Sequence, residues 1–160
     1  TLPLKYAMTL KERLTGVVVY FVIERPAQRL GLDKLIQNLV DSGEALQRDL
    51  ERIEDTDKNC EQLRHIIAIE RWGQRRLEVS LGEALFQDEN HAYKPSQDTA
   101  WSILKELFKT TRAKTLALAE SLKTTDLKQP VPHNQFGPLS SLAWLRYLET
   151  HARLEGKRLR

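Results

Sequence analysis

His151 and Glu155, four residues apart near the end of the chain, carry the clearest chemical signal in the sequence. On a helix over residues 138–159, at about 100° per residue, Trp144, Tyr147, Leu148, His151 and Glu155 fall on one side. Residues that must face a core and groups that bind protons or metals therefore continue a single stripe. The Cβ atoms of His151 and Glu155 then lie ~6 Å apart, one turn above the other. Two readings stay open here. The stripe reaches solvent at the helix end, with Glu155 in a surface ion pair, or it buries two groups that need partners. In the second case they are ligands of a metal site or members of one acid–base site.

A second histidine has the same character. Within residues 59–82, His65, Ile69 and Trp72 stand at i, i+4 and i+7 on one stripe, so His65 also looks inward. A lone inward histidine is more often a hydrogen-bonded core residue than a ligand; a second one on another helix opens the ligand reading. Glu61, one turn before His65, is a candidate partner behind it. His91 and His133 fall in connecting segments and are expected to be solvated. Cys60 sits near a helix start, which can lower a thiol pKa, but an ordinary small residue is the simpler reading. As the single cysteine it excludes an intrachain disulfide and a cysteine-based zinc site, and it suits a reducing, cytoplasmic setting. No GxGxxG, Walker-type or GxSxG motif is present.

The elements that must position these groups are helices. Leu32, Leu35/Ile36, Leu39, Gly43, Leu46, Leu50 and Ile53 alternate spacings of three and four, one face of a helix over 32–53. Gly43 on that face marks a close approach by a neighbour. The second helix spans 59–82. A third, capped by Ser96 or Asp98, spans 98–122 on the stripe Trp101, Leu104, Phe108, Thr111, Thr115, Leu118, Leu122. Residues 123–138, with three prolines, read as a loop, and Pro138 suits the first turn of the last helix. The fold class is all-α: a four-helix bundle with a long crossover, 83–97, between helices 2 and 3. That crossover implies a topology other than a plain up-and-down meander. Residues 32–160 form the bundle and 1–31 an N-terminal extension that packs on it or on a partner subunit. Within the extension, Gly16 to Ile23 is strand-like in composition but has nothing to pair with, so a short extension or helix ending near Pro26 is expected. Its apolar surplus points to a homodimer.

Composition narrows the class. The chain has 160 residues, 41% hydrophobic and 29% charged, as in a soluble globular domain with a core of its own. A net charge of +3 with both signs interspersed demands no nucleic-acid partner, and Lys157, Arg158 and Arg160 form no single-sign stripe. The apolar run Leu14 to Ile23 would span half a bilayer as a helix. The Glu24-Arg-Pro-Ala that follows supplies no signal-cleavage pattern. No membrane partner is expected.

Two segments resemble a known family. Leu63-Arg-His65-Ile-Ile-Ala-Ile-Glu-Arg-Trp72-Gly-Gln-Arg-Arg76-Leu77 resembles the second helix of the DinB/YfiT-like bundle proteins, which carries a single histidine. Phe136-Gly137-Pro138 through Tyr147, His151 and Glu155 resembles their last helix, where a His-x-x-x-His pair usually sits. The resemblance covers residues 32–160. It implies that His65 and His151 are metal ligands and that Glu155 takes the third position, where histidine is usual. Two histidines and a carboxylate make a competent open site for Zn, Ni, Mn or Fe; the departure also admits a degenerate site. Members with known activity are thiol-dependent transferases or isomerases. The resemblance therefore implies a divalent-metal-dependent transferase or hydrolase of unstated substrate. The alternative is a non-catalytic dimeric helical scaffold or stress-related binding protein.

Overall fold

Thr56, with an extended backbone (φ −126°, ψ 153°), stops the chain and restarts it as a helix, its Oγ1 accepting the Asn59 N–H at 3.2 Å. The helix it caps carries His65. The computed structural model describes residues 10–160, with side chains from Thr15 onward; residues 1–9 of the expected extension lie outside the described residues. In chain order the elements are α1 (Leu10–Val19), a π-helical turn (Tyr20–Glu24), α2 (Arg25–Leu50), α3 (Asp57–Ser80), α4 (Trp101–Ser121), a hairpin of β1 (Val131–His133) and β2 (Gly137–Leu139), and α5 (Ser141–Gly156). The all-α bundle with a long crossover is the observed fold.

Topology follows from which residues meet. Leu63 and Ile66 early in α3 share an apolar cluster with Trp101 and Phe108 early in α4, and Leu77 near the end of α3 shares the other with Ala119 and Leu122, so α3 and α4 run parallel. Residues 81–100 accordingly carry the chain from one end of the bundle to the other. Lys105 meets Glu51 and Lys123 meets Asp33, so α2 runs against α4. Leu46 packs on Gly156 and Glu24 accepts the Ser140 N–H, so α2 runs with α5. The order is thus up, down, down, up.

Between α2, α3 and α4 lies a buried ionic knot. The Arg112 guanidinium donates from Nε and Nη2 to both oxygens of Glu70, at 2.7 and 2.9 Å. Its Nη1 donates to the Leu39 carbonyl at 2.9 Å and to Ser42 Oγ at 3.2 Å. Thr115 Oγ1 donates to Glu70 at 2.8 Å, and Gln74 Nε2 donates to Thr115 Oγ1 at 3.0 Å. The close neighbour expected at Gly43 is this arginine: a Cβ there would lie 3.0 Å from Arg112 Cγ. Apolar layers close above and below, around Leu35, Trp144 and Leu148 on one side and Leu50, Ile66 and Phe108 on the other.

Three boundaries differ from the sequence reading. The N-terminal helix does not end near Pro26, which sits in the first turn of α2 just after the π turn; the break comes at Gly31 (φ 74°, ψ 170°), in backbone that favours glycine. Neither Ser96 nor Asp98 caps α4; Ser96 Oγ accepts the Asp98 N–H in a preceding turn and the helix starts at Trp101. Pro138 pairs with Pro132 in the hairpin instead of opening α5, whose cap is Ser140, accepting the Ala143 N–H at 3.2 Å.

Removing one partner of the knot leaves a buried charge alone. Glu70→Ala is expected to cost about 3–5 kcal/mol, read as a lowered urea midpoint in equilibrium unfolding.

Candidate metal centre

The site lies between α3 and α5, which approach each other closely. Gly73 makes that approach possible: a Cβ there would lie 2.4 Å from a methyl of Leu148, which is itself buried. Trp72 and Trp144 pack edge to face beside this point, ring centroids 5.3 Å apart. With the helices antiparallel, two turns back along α3 and one turn on along α5, His65 and His151 meet. Their Nε2 atoms face each other at 3.2 Å.

Burial pushes the His65 imidazole pKa down, Glu155 opposing it. His151 falls further, to about 4, first through burial and then through the neighbouring His65, again against Glu155. Both rings are therefore neutral at neutral pH, one Nε2–H donating to the other ring's lone pair. Neutral imidazoles are also the ligand form. Two nitrogens ~2.0–2.1 Å from one tetrahedral cation would stand ~3.3 Å apart, so the observed separation fits a cation between them.

Glu155 lies on the same side but is engaged elsewhere. Its Oε2 accepts from Gln62 Nε2 at 2.7 Å and lies 3.2 Å from Arg158. Among the described residues, no group of three His, Cys, Asp or Glu side chains is arranged to hold a metal. The imidazole pair fits a cation as it stands; the carboxylate does not yet join it. Glu61 does not support His65 directly, being bonded to Arg64 and Lys94. The Cys60 thiol pKa is raised, not lowered, by burial and by its bond to Asp55. His91 is exposed as expected.

A family model for the DinB superfamily matches residues 59–154, from the start of α3 to the last turn of α5. The chain belongs to the DinB superfamily. No curated protein and no solved structure matches it. The matched span contains His65 and His151 and stops one residue short of Glu155.

The DinB bundle here holds a third inward histidine, one that the sequence reading misplaced. His133 is not solvated but 5% exposed, enclosed by Trp72, Phe136, Trp144 and Tyr147 with ring centroids 4.3–5.1 Å away. The hairpin puts it there. Its Nδ1 accepts the N–H groups of Gln135 and Phe136 at 3.1 and 3.3 Å, and Gly137 (φ 76°) turns the chain back. The alternation of Val131 and His133 about Pro132, followed by an Asn and a Gly, was the available signal. Tyr147, packed between His133 and His151, is pushed up to about 12 by burial and then by the Glu155 charge, so it remains a phenol. Gln62 was also overlooked, although it shares the inward side with His65.

The crossover is tied to the same region through Asp88. It accepts from Trp72 Nε1 at 3.1 Å, pairs with Arg76 at 2.6 Å and bonds the Tyr93 hydroxyl. Burial opposes its ionisation, yet the bonds from Arg76, Tyr93 and Trp72 hold its carboxyl below the usual range.

Burial, with a contribution from Arg76, depresses His133 from 6.5 to about 4. The unfolded chain then binds a proton that the native state refuses, so the stability this confers is full above pH 6.5 and is lost as pH falls toward 4. Asn can reproduce the Nδ1 acceptor without titrating. His133→Asn is expected to be less stable at pH 7, yet to lose stability on acidification less steeply, by up to ~1.4 kcal/mol per pH unit. Urea unfolding at a series of pH values checks the difference in slope.

Proposed function

We propose that this DinB-superfamily protein is a divalent-metal-dependent enzyme, a thiol-dependent transferase or hydrolase, with the cation held by His65, His151 and Glu155. The observation that carries the reading is the 3.2 Å separation of two neutral imidazole nitrogens on different helices. Glu155 joins them by exchanging Gln62 and Arg158 for the cation, which Zn, Ni, Mn or Fe would satisfy. The bound cation would act as a Lewis acid, lowering the pKa of a water or thiol. The protein's own groups do the rest. Before a cation binds, Gln62 holds the Glu155 carboxylate on the histidine side of α5, and Tyr147 offers a neutral O–H. Tyr147 packs against one flank of His151, ring centroids 5.9 Å apart. With its single cysteine, we assign the protein to the reducing cytoplasm.

Metal analysis of protein purified without a histidine tag tests this. Zinc at a hundredfold excess over Kd is expected to stabilise the wild type by ~2.7 kcal/mol, seen as a raised Tm, and to leave His151→Ala unchanged. A folded wild type that gains neither bound metal nor Tm refutes the metal reading and favours the scaffold, in which the two histidines satisfy each other.

Assembly is a second proposal. Val17, Val18, Phe21 and Val22 are each more than half exposed, an apolar run on α1 and the π turn that solvent does not favour. We propose that two copies pair through it. Sedimentation velocity is expected to show a dimer at high micromolar concentration and a monomer for Val18→Asp/Phe21→Asp; a monomeric wild type refutes the pairing.

A further inference from the structure

Beside the histidine pair is a pocket of about 240 Å³ between α5 and the π turn. That is room for about eight waters at ~30 Å³ each, enough for a small molecule. Its floor is two adjacent rows of α5: Arg146, Thr150 and Leu154 along one edge, Tyr147, His151 and Glu155 along the other. Val22 and Ile23 form the facing wall.

The pocket is apolar through its length but its ends differ in charge. Arg146 lies at one end. Pro26 has no N–H to offer the Val22 carbonyl four residues before it, and Arg146 Nε reaches that oxygen at 3.5 Å. This contact pins the guanidinium against the wall and leaves its two Nη groups as a fork. Among the described residues no carboxylate pairs with Arg146; the neighbouring Glu149 is taken by Arg153 at 2.9 Å. The other end is Glu155, which repels a second negative charge. His151 lies between, ~7.5 Å along the helix from Arg146 at 1.5 Å per residue.

We propose that the pocket takes a small monocarboxylate with an apolar body, its carboxylate forked by Arg146 and its reactive group set about 7.5 Å away beside His151. This rests on the metal-site reading for what happens at His151, but the carboxylate recognition does not. Arginine suits a planar, bidentate anion, and a single unpaired one selects one carboxylate. Tyr147 and Phe136, whose rings stand 5.8 Å apart edge to face, supply the surface for the body.

The probes are 3-phenylpropionate and its neutral shape-match 3-phenyl-1-propanol, titrated into isotopically labelled protein and followed through the α5 amide shifts, which also report folding. The carboxylate is expected to bind at least tenfold tighter than the alcohol. Arg146→Gln should abolish that preference while leaving the alcohol's affinity unchanged, and Arg146→Lys should keep part of it. Equal affinities in the wild type, or a preference surviving in Arg146→Gln, overturn the proposal. Zinc binding to the wild type is read in parallel: a carboxylate preference without zinc binding upholds the pocket and sinks the metal reading, and the reverse result sinks the pocket alone.

Discussion

The contact on which most of the bundle depends is the fork between Arg112 and Glu70. Both side chains are nearly inaccessible, at 2% and 1% exposure. Such a pair offsets its desolvation only when the remaining donors and acceptors are also bonded. Leu39, Ser42 and Thr115 meet that condition from the helices around it. The demand is directional in a way apolar packing is not. It permits one rotation of α3 about its axis, because Glu70 and Gln74 must both face α4. With that rotation set, the other flank of α3 presents Gly73 to Leu148 and His65 to His151. The site is held in place by an ion pair that takes no part in it.

The bundle was readable because its apolar stripes are long and regular; each of the four helices was located to within a few residues. The inward placement of His65 and His151 was readable for the same reason, as position on a stripe is a property of spacing alone. What was not readable depended on contacts between segments. Whether Glu155 turns to a histidine or to Gln62 is decided by rotamers, and Gln62 sits 93 residues away. His133 looked solvated because a proline-rich stretch signals a loop, and three-residue strands are too short to show a period. Its burial is a tertiary outcome: two tryptophans, a tyrosine and a phenylalanine converge there from three places in the chain. Pro26 looked like the place for a helix to stop, yet the break comes at Gly31. Only glycine's positive φ ends it, since the wide π turn ahead of Pro26 accommodates a proline near a helix start.

The chemistry of the site rests on desolvation more than on charge. Glu155 works to protonate both histidines, and burial overrules it in each. The same burial keeps Tyr147 a phenol. Around His65 and His151 the protein thus gathers lone pairs and a hydroxyl without fixed positive charge on the rings, while the permanent cations, Arg146 and Arg158, stand at the margins. Burial so arranged keeps both imidazoles from taking up a proton near neutral pH.

The π turn at Tyr20–Glu24 has a consequence for how the outer face arose. A π turn holds one residue more than the α-helical turn it replaces, so in phase it is an insertion of one residue. The α1 residues before it are swung by about 100° from where an unbroken helix would carry them. Val19, at 8% exposure, is the residue that still reaches the core, while Val17 and Val18 point away. Deleting a single codon within this stretch would bring a different set of side chains round onto α5. Whether the molecule has an apolar exterior at this end is therefore a matter of helical phase, open to gain or loss in one genetic step with no change in hydrophobic content.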